Sequence, residues 1–307
     1  MQRFSAATAF AVASIGLLTA CSGNSPTPGS FLTAAVARRP APATACTDKT
    51  QLYVANFGDN DVLVICNETF EQVGEITDGV DRPTDVSLDQ NANLYVANFS
   101  NATIAEYAPS KFSAPSFTYS AGMVEPETLT VDTQGDVFEG DANGAINEYS
   151  QGHNSVTTSC SPGGGVTGVA VDAKGDVFVE YFSSSLAKGV LAEYEGGLSG
   201  CKETGLTPTF QFNGGIAVDK KRDLIVCDAS QVDVIDPPYT RISGTIGSGF
   251  SGARGVSLNK KNNLALVADT SANTVTLINY PAGSNKTVLT SGLSEPEGVV
   301  DSPNAVY

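Results

Sequence analysis

Carboxylate and amide side chains recur at one place in a repeated phrase of this chain, and they are its best candidates for chemistry. Asparagine or aspartate ends successive hydrophobic segments at Asn56, Asn98, Asp141, Asp228 and Asp269, while Tyr181, preceded by Glu180, stands at that place in another. Other segments open on a glutamate, at Glu127 and Glu297. Oxygen ligands of these types suit Ca²⁺ or a similar divalent ion if they converge. Whether these side chains converge depends on how the strands that carry them are arranged.

A phrase that returns every 40–47 residues organises most of the chain. It reads PTDVSLDQNANLYVANF from Pro83, and related copies begin at Pro126, Val166, Asn213 and Ala253, with a shortened copy from Pro296. A period of this length is typical of solenoids, propellers and other repeat folds.

Each copy predicts a four-stranded unit. Alternation at Val169, Ala170 and Val171 predicts a first strand, and Asp172 then suits a tight turn into a second strand. A third strand and a weaker fourth follow, and the third usually closes on a tyrosine: Tyr107, Tyr149, Tyr194 and Tyr280. We expect these tyrosines to pack between units with their hydroxyl groups toward solvent. Four antiparallel strands per repeat form one propeller blade.

The two ends of the chain predict how the ring closes. The last copy provides a first strand at residues 298–301, and the region after residue 50 opens on a second strand at residues 52–57. One blade would therefore be shared by both termini, which hides the sheet edges. The sequence predicts an all-β, six-bladed β-propeller over residues 50–307.

The first 49 residues predict export and anchoring. Arg3 precedes a short apolar run in residues 1–20, which is too short to span a bilayer permanently and is typical of a signal peptide. Leu18, Thr19, Ala20 and Cys21 resemble the lipobox of bacterial lipoprotein signals. The resemblance implies that Cys21 becomes the lipidated first residue, with acyl chains that hold the protein to the membrane. An ordinary secretory signal is the alternative.

The residues after Cys21 predict a tether and a location. Residues 21–49 are rich in Pro, Ser, Thr and Ala and have no packing pattern, so we expect a disordered linker. Ser22 follows the lipidated cysteine, and in the lipoprotein family a residue other than aspartate there implies the outer membrane. We therefore expect a lipid-anchored protein of the bacterial cell envelope.

Cysteine spacing predicts disulfide bonds. Apart from Cys21 there are five cysteines, so at least one stays unpaired. Cys160 and Cys201 lie 41 residues apart, close to one period, which places them at similar positions in neighbouring blades and predicts a bond between them. Cys46 and Cys66 could also meet, and Cys227 lies mid-strand as a buried thiol.

Charge and histidine content exclude several classes of function. The formal net charge of −16 argues against binding of nucleic acid through the propeller. The single histidine, His153, lies in a polar loop, which disfavours Ser-His-Asp and Cys-His catalysis. Phosphate loops and zinc-spaced Cys/His clusters are also missing from the sequence.

Propeller geometry would bring the oxygen-bearing residues to one mouth, where first strands start and second strands end. The same side chains also begin hairpin turns, and their recurrence in nearly every copy favours that interpretation. The two alternatives predict different contacts. A metal site needs three or more of these groups around one point, whereas turn residues form hydrogen bonds to the local backbone.

Residues 50–307 resemble the NHL-repeat and senescence-marker-protein/gluconolactonase-like group of propellers through phrases such as Gly168–Asp172 followed by Gly175–Val179. In lactonase members a Glu, two Asn and an Asp hold a divalent ion. The resemblance implies that Ca²⁺ or another divalent ion would be held here by a subset of Glu127, Glu297, Asn56, Asn98, Asp228 and Asp269.

The sequence favours a membrane-anchored propeller that acts as a binding or scaffold module for a protein, a glycan or a small molecule. The alternative, which the resemblance implies, is a metal-dependent lactone or ester hydrolase. No local motif in the sequence demands catalysis, so we expect the binding module.

Overall fold

The structure is a computed structural model that describes residues 46, 50–212 and 214–302. The predicted signal segment, Cys21 and the linker up to residue 45 lie outside the described residues. Within the described part, no helix is long and apolar enough to cross a membrane.

The described residues form a ring of antiparallel sheets with almost no helix. Sheet 1 contains, in spatial order, β22 (Pro296–Asp301), β1 (Gln51–Asn56), β2 (Asp61–Cys66) and β3 (Gln72–Ile76). Sheet 2 contains β4 (Pro83–Leu88), β5 (Leu94–Asn98), β6 (Thr103–Tyr107) and β7 (Phe117–Tyr119). Sheet 3 contains β8 (Pro126–Val131), β9 (Val137–Asp141), β10 (Ile146–Tyr149) and β11 (Val156–Cys160).

The remaining strands form two more sheets. Sheet 4 contains β12 (Gly165–Val171), β13 (Val177–Ser183), β14 (Lys188–Tyr194) and β15 (Glu203–Phe210), with a 3₁₀ turn at Ser199–Cys201. Sheet 5 has six strands: β16 (Ile216–Val218), β17 (Leu224–Ile235), β18 (Gly244–Leu258), β19 (Leu264–Asp269), β20 (Thr274–Asn279) and β21 (Ser284–Leu289). The all-β propeller fold expected from the repeat is confirmed.

The predicted count of six separate blades is wrong, because the described strands form five sheets. β17 runs without a break through the second and third strands of the copy that begins at Asn213, and β18 runs from that copy's fourth strand into the first strand of the next copy. The two halves of sheet 5 still pack on each other, with Ile225 and Val232 against Val256 and Ile278. Continuous strands therefore join what the repeat presents as two units.

Apolar layers between neighbouring sheets hold the ring together. The alternation of each strand turns successive side chains to opposite faces, so one set packs on the preceding sheet and the other on the following sheet. Tyr53, Ala55 and Val64 of sheet 1, for example, pack against Val86 and Val96 of sheet 2. Burial of such side chains stabilises each by about 1.5–3 kcal/mol.

Strands from both ends of the described chain pair with each other. β22 runs antiparallel to β1, with Leu52 opposite Asp301, Val54 opposite Val299 and a register shift near Asn56. β22 is the innermost strand of sheet 1, and its Val299 is 2% exposed. The innermost strand and the three outer strands of this sheet thus come from opposite ends of the described residues.

The tyrosines that close the third strands are buried, and the expectation that their hydroxyl groups face solvent is wrong, because all four donate hydrogen bonds within the protein. Tyr107 donates to the carbonyl oxygen of Asp78 at 2.5 Å, and Tyr149 donates to that of Ala121 at 2.7 Å. A buried hydroxyl needs such a partner. These bonds fix the segments that connect one sheet to the next.

Two disulfide bonds are present among the described residues. Cys160, at the end of β11, is bonded to Cys201 with their Cα atoms 5.5 Å apart, as the spacing predicts. Cys46 is bonded to Cys66 at the same Cα separation, and Cys227 is a buried free thiol. The first bond joins sheet 3 to the segment before β15, and the second fixes the start of the described chain to β2.

We predict that a Cys160→Ser/Cys201→Ser variant loses about 4 kcal/mol of unfolding free energy, because the bond closes a loop of 41 residues and so restricts the unfolded chain. Urea unfolding of the oxidised proteins measures the loss. In a reducing agent neither the native protein nor the variant has the bond, so the difference between them should disappear there. An unchanged midpoint in the double variant would contradict the prediction.

Candidate functional site

A cavity of about 290 Å³ lies along the axis of the ring. Its walls come from the innermost strands β4, β8, β12, β16, β18 and β22 and the residues next to them. Glu127, Arg254 and Glu297 line one end, and Asn259, Lys260 and Asn262 line the part beyond the other strand ends. We refer to the end formed by Glu127, Arg254 and Glu297 as the charged end.

Arg254 links two distant sheets at the charged end. Its Nη2 atom lies 2.5 Å from Oε2 of Glu127, and its Nε atom lies 3.1 Å from Oε2 of Glu297. Arg254 belongs to sheet 5, Glu127 to sheet 3 and Glu297 to sheet 1. All three side chains are mostly buried, so these contacts are stronger than ion pairs on an open surface.

Close approach of the innermost strands positions these charges. Gly255 follows Arg254, and a Cβ atom there would collide with the carbonyl oxygen of Glu297. A Cβ atom on Gly298 would lie 2.5 Å from Oδ1 of Asp85. Glycine at these two positions therefore permits the contact between sheets 5, 1 and 2 that places Arg254 beside Glu297.

Asp85 adds a third carboxylate to the cavity wall. Its Oδ2 atom accepts hydrogen bonds from the hydroxyl of Thr128 at 3.1 Å and from the amide of Leu129 at 3.0 Å. The other copies have Thr128 or a glycine at this place, namely Gly168, Gly215, Gly255 and Gly298. The sequence analysis missed Asp85, although its departure from glycine was a usable signal.

Burial alters the acidity of two of these groups. It raises the pKa of Asp85 to about 6, although hydrogen bonds from two amides and a hydroxyl oppose the rise. It raises the pKa of Glu297 to about 7, with Arg254 lowering it and Glu127 adding to the rise. The charged end therefore takes up protons near neutral pH unless further positive charge is present.

The two asparagines predicted as ligands serve as turn residues. Oδ1 of Asn56 accepts from the amide of Ser294 at 2.6 Å, and its Nδ2 atom donates to Asp61 at 2.8 Å. Oδ1 of Asn98 accepts from the amide of Asp81 at 3.0 Å. Both side chains are fully buried and hold the segment that leads into the innermost strand of their own sheet.

The aspartates predicted as ligands bind backbone in the same way. Asp228 accepts from the amide of Phe212 at 2.9 Å, and Asp269 accepts from the amides of Ser251 and Gly252 at 2.8 and 2.9 Å. The equivalent Asp141 accepts from the amide of Val124 at 2.7 Å. These contacts agree with the interpretation of the residues as turn formers, which their recurrence in nearly every copy of the repeat favoured.

The predicted six-residue metal site is therefore not assembled among the described residues. Glu127 and Glu297 meet, but a guanidinium group from Arg254 lies between them. Asn56, Asn98, Asp228 and Asp269 point their oxygens at backbone amides or local turns, and the described part of the chain holds no group of three acidic, histidine or cysteine side chains placed for a metal. The sequence shows an arginine at position 254, but it does not show that this arginine forms ion pairs with glutamates of two other sheets.

The wall of the cavity differs from side to side. Asp85, Glu127 and Glu297 stand on three consecutive sheets, whereas Thr167 and Gly215 provide small groups on the opposite side. Deeper in the cavity the lining includes the partly exposed Ser87, Thr130 and Ser257, whereas the aliphatic residues next to them, such as Val86, Leu129 and Val256, are buried in the layers between sheets. The cavity thus combines an acidic wall, one guanidinium group and a mainly polar lining.

A second charged cluster joins sheets 4 and 5. The guanidinium group of Arg222 lies 2.6 Å from Asp172, 2.6 Å from Asp176 and 2.7 Å from Glu193, next to a surface groove of about 510 Å³. Its hydrogen bonds are directed to these carboxylates, so Arg222 acts as a link between sheets. The axial cavity, with its unbalanced charge, is the better candidate for a functional site.

The chain was compared with known families, sequences and structures. Neither a protein-family model nor a curated protein sequence matches it. A chain in the crystal structure of a nidogen/laminin complex matches with a TM-score of 0.68 at 12% identity, covering 83% of this chain and 99% of that one. The shared feature is the propeller fold. Hydrazine synthase from Kuenenia stuttgartiensis matches with a TM-score of 0.57 at 11% identity, covering 76% of this chain and 74% of that one.

Proposed function

We propose that this chain is a lipid-anchored binding module of the bacterial cell envelope, whose propeller holds a small ligand in the axial cavity. The observation that carries the proposal is the meeting of Arg254, Glu127 and Glu297 at one end of that cavity. Mostly buried charges around a concave opening are typical of ligand sites in proteins.

The contacts of the predicted metal ligands support binding rather than hydrolysis. A lactonase of the gluconolactonase type would need its carboxylate and amide oxygens free to hold an ion. Here Asn98, Asp228 and Asp269 are engaged with backbone amides. The charged end therefore offers recognition by ion pairs and hydrogen bonds, for which no catalytic histidine or metal is required.

A panel of small amines, carboxylates and sugars tests the binding function by thermal shift on the full chain. A ligand at a hundred times its Kd would stabilise the fold by about 2.7 kcal/mol, which corresponds to roughly 5–10 °C in Tm. In a Thr167→Phe variant a ring on the cavity lining should remove the shift. A panel in which no compound shifts the native Tm would contradict the proposal.

Membrane attachment is the second part of the proposal, and it rests on the lipobox at residues 18–21. Several acyl chains on one cysteine would anchor the chain stably, whereas a single chain would not. The propeller would then face the periplasm or the cell surface, at the end of the linker. Formation of the two disulfide bonds fits such an oxidising compartment.

We predict that a Cys21→Ala variant accumulates as uncleaved precursor and incorporates no labelled fatty acid. Lipid labelling and the mass of the isolated protein measure both effects. A Cys227→Ser variant should be processed and labelled like the native chain. Cleavage of the alanine variant together with unlabelled native protein would show that the segment is an ordinary secretory signal.

A further inference from the structure

One buried carboxyl group of the ring has no partner in the fold. Glu180 lies in β13 of sheet 4, its side chain is fully buried, and neither of its carboxylate oxygens has a hydrogen-bond partner among the described residues. In such a place an ionised carboxylate is far more costly than a protonated one. The folded protein therefore holds Glu180 with its proton, and loss of that proton acts against the closed packing around it.

Glu180 faces the junction between sheets 4 and 5. Phe178 lies two residues before it, on the same face of β13, and packs in one layer with Leu191 of β14 and Val226 of β17. Within sheet 4, Glu180 is paired with Gly168 on one side and with Leu191 on the other. Neither of these neighbours carries a charge, so any charge that acts on Glu180 at close range comes from sheet 5.

Sheet 5 offers Glu180 no positive charge. Asp228 of β17 disfavours the ionised form of Glu180, and the nearby backbone amide of Gly214 is the group that favours it. The described titratable groups around Glu180 and its neighbour Cys227 are acids and that thiol: Asp228, Asp233, Asp269 and Cys227. Arg254 of the same sheet is engaged in the ion pairs of the charged end. Ionised Glu180 would therefore meet only like charge and low polarity.

The same junction is held by little packing near the axis. A Cβ atom on Gly168 would lie 2.9 Å from the carbonyl oxygen of Gly214 and 3.0 Å from the amide nitrogen of Ile216, so backbone meets backbone here. The innermost strand β16 has three residues, whereas β4, β8, β12 and β22 have six or seven. A contact without side chains and a strand with few ladder bonds favour local opening at this place.

We propose that the junction between sheets 4 and 5 is a pH-sensitive switch, which stays closed while Glu180 holds its proton and opens locally when that proton is lost. The open form exposes the carboxylate to water and separates β12 from β16, which both line the axial cavity. In the open form Glu180 ionises near the ordinary value of 4.5, whereas burial raises its pKa well above that value in the closed form. The open population therefore grows about tenfold per pH unit between these two values. The switch does not depend on which ligand the cavity holds.

Alkylation of Cys227 in the full chain measures the opening. This thiol is fully buried near Glu180 and is the free cysteine of the described chain. N-ethylmaleimide reaches it only in an open form, and mass spectrometry of the peptide that contains Cys227 gives the rate. Dividing the native rate by that of a Glu180→Gln variant cancels the pH dependence of the thiol itself. We expect this ratio to rise about tenfold per unit from pH 5 to pH 7.

A second thiol separates local opening from unfolding of the whole ring. Ala97 is fully buried in sheet 2, at the place that Cys227 occupies in its own copy of the repeat. An Ala97→Cys variant therefore presents two matched thiols in one molecule. At neutral pH we expect Cys227 to react at least about tenfold faster than the thiol at position 97, because the latter waits for the ring to unfold. With Glu180→Gln added, the two rates should approach each other.

Two results would overturn the switch. A ratio of native to Glu180→Gln rates that stays constant with pH would show that opening does not involve this proton. Equal rates at Cys227 and at position 97 in the chain with native Glu180 would show that Cys227 is reached only through unfolding of the ring. Glu180→Ala, with the residue that three other copies have, repeats the comparison with a shorter side chain. Melting curves check that each variant is folded.

Discussion

Deletion of residues 296–307 should abolish cooperative unfolding of the propeller. The deletion removes β22, which is the innermost strand of sheet 1 and pairs with β1 from the other end of the described chain. Without it, the backbone of β1 would become an unpaired edge on the axis of the ring. The apolar layer between sheets 5 and 1 would also lose Val299, which packs against Leu52 and Leu266.

The contacts of β22 extend beyond its own sheet. Ser257 donates to the carbonyl oxygen of Val299 at 2.6 Å, and Thr270 donates to that of Pro296 at 2.7 Å. Glu297 pairs with Arg254 from sheet 5, and Gly298 touches Asp85 from sheet 2. One strand thus joins three sheets, so its loss should affect the whole ring rather than one edge.

Calorimetric melting of the truncated chain measures this effect. We expect a broad transition without a single sharp peak, whereas a Val299→Ala variant should keep one sharp transition and lose about 2 kcal/mol through reduced burial. Addition of a synthetic peptide with the sequence of residues 296–302 should restore part of the transition. A truncated chain that melts at the native temperature would show that closure of the ring does not depend on β22.

The sequence predicted those features that depend on local pattern. Alternation placed the strands of each copy, and the regular period placed Cys160 and Cys201 in neighbouring sheets, because both signals repeat with the backbone geometry. The asparagines and aspartates at the ends of the second strands could be interpreted as turn residues because they recur at the same place in the repeat. Asn98 and Asp269 have the backbone contacts that this interpretation requires.

The sequence did not predict features that depend on the meeting of distant strands. The continuity of β17 and β18, which merges two units into sheet 5, could not be read from the sequence, because Gly249 and Gly252 favour a turn where β18 continues. Arg254 reaches Glu127, 127 residues away, only because the ring brings sheets 3 and 5 to a common axis. The sequence shows that Arg254 is positively charged, but it does not show which acidic residue is its partner.

Residues that differ from those at the same place in the other copies carried information that the sequence analysis did not use. Asp85 stands where most copies have glycine, and Glu180 stands where the others have a small residue: Ala55, Ala97, Gly140, Cys227 and Ala268. A residue that breaks a local rule often marks a strained or functional place. Asp85 lines the cavity, and Glu180 is fully buried without a hydrogen-bond partner among the described residues.

Replacement of Glu180 should make the protein more stable at neutral and higher pH. Glu180 is fully buried in β13, and neither of its carboxylate oxygens has a hydrogen-bond partner among the described residues. Burial raises the pKa of Glu180 well above its ordinary value of 4.5; the nearby amide of Gly214 opposes the rise, and Asp228 adds to it. The folded protein therefore keeps this carboxyl group protonated where the unfolded chain has lost the proton.

The direction of the pH dependence follows from that difference. Below the pKa of the unfolded chain both states bind the proton, and Glu180 causes no pH-dependent loss. As the pH rises toward the folded-state pKa, the unfolded state gains about 1.4 kcal/mol per pH unit from ionisation. The native protein should thus lose stability from about pH 4.5 upward through this group.

Urea unfolding between pH 4 and pH 8 measures the prediction. A Glu180→Gln variant has the same shape and no ionisation, so its stability should match the native protein near pH 4 and exceed it increasingly at higher pH. Glu180→Ala, with the residue found in three other copies, should show the same divergence from the native profile, offset by a constant cost for the lost packing. Glu125→Gln, at an exposed position, should follow the native pH profile. Parallel profiles for native and Glu180→Gln proteins would mean that Glu180 is ionised in the fold, and that a cationic partner stabilises its charge there.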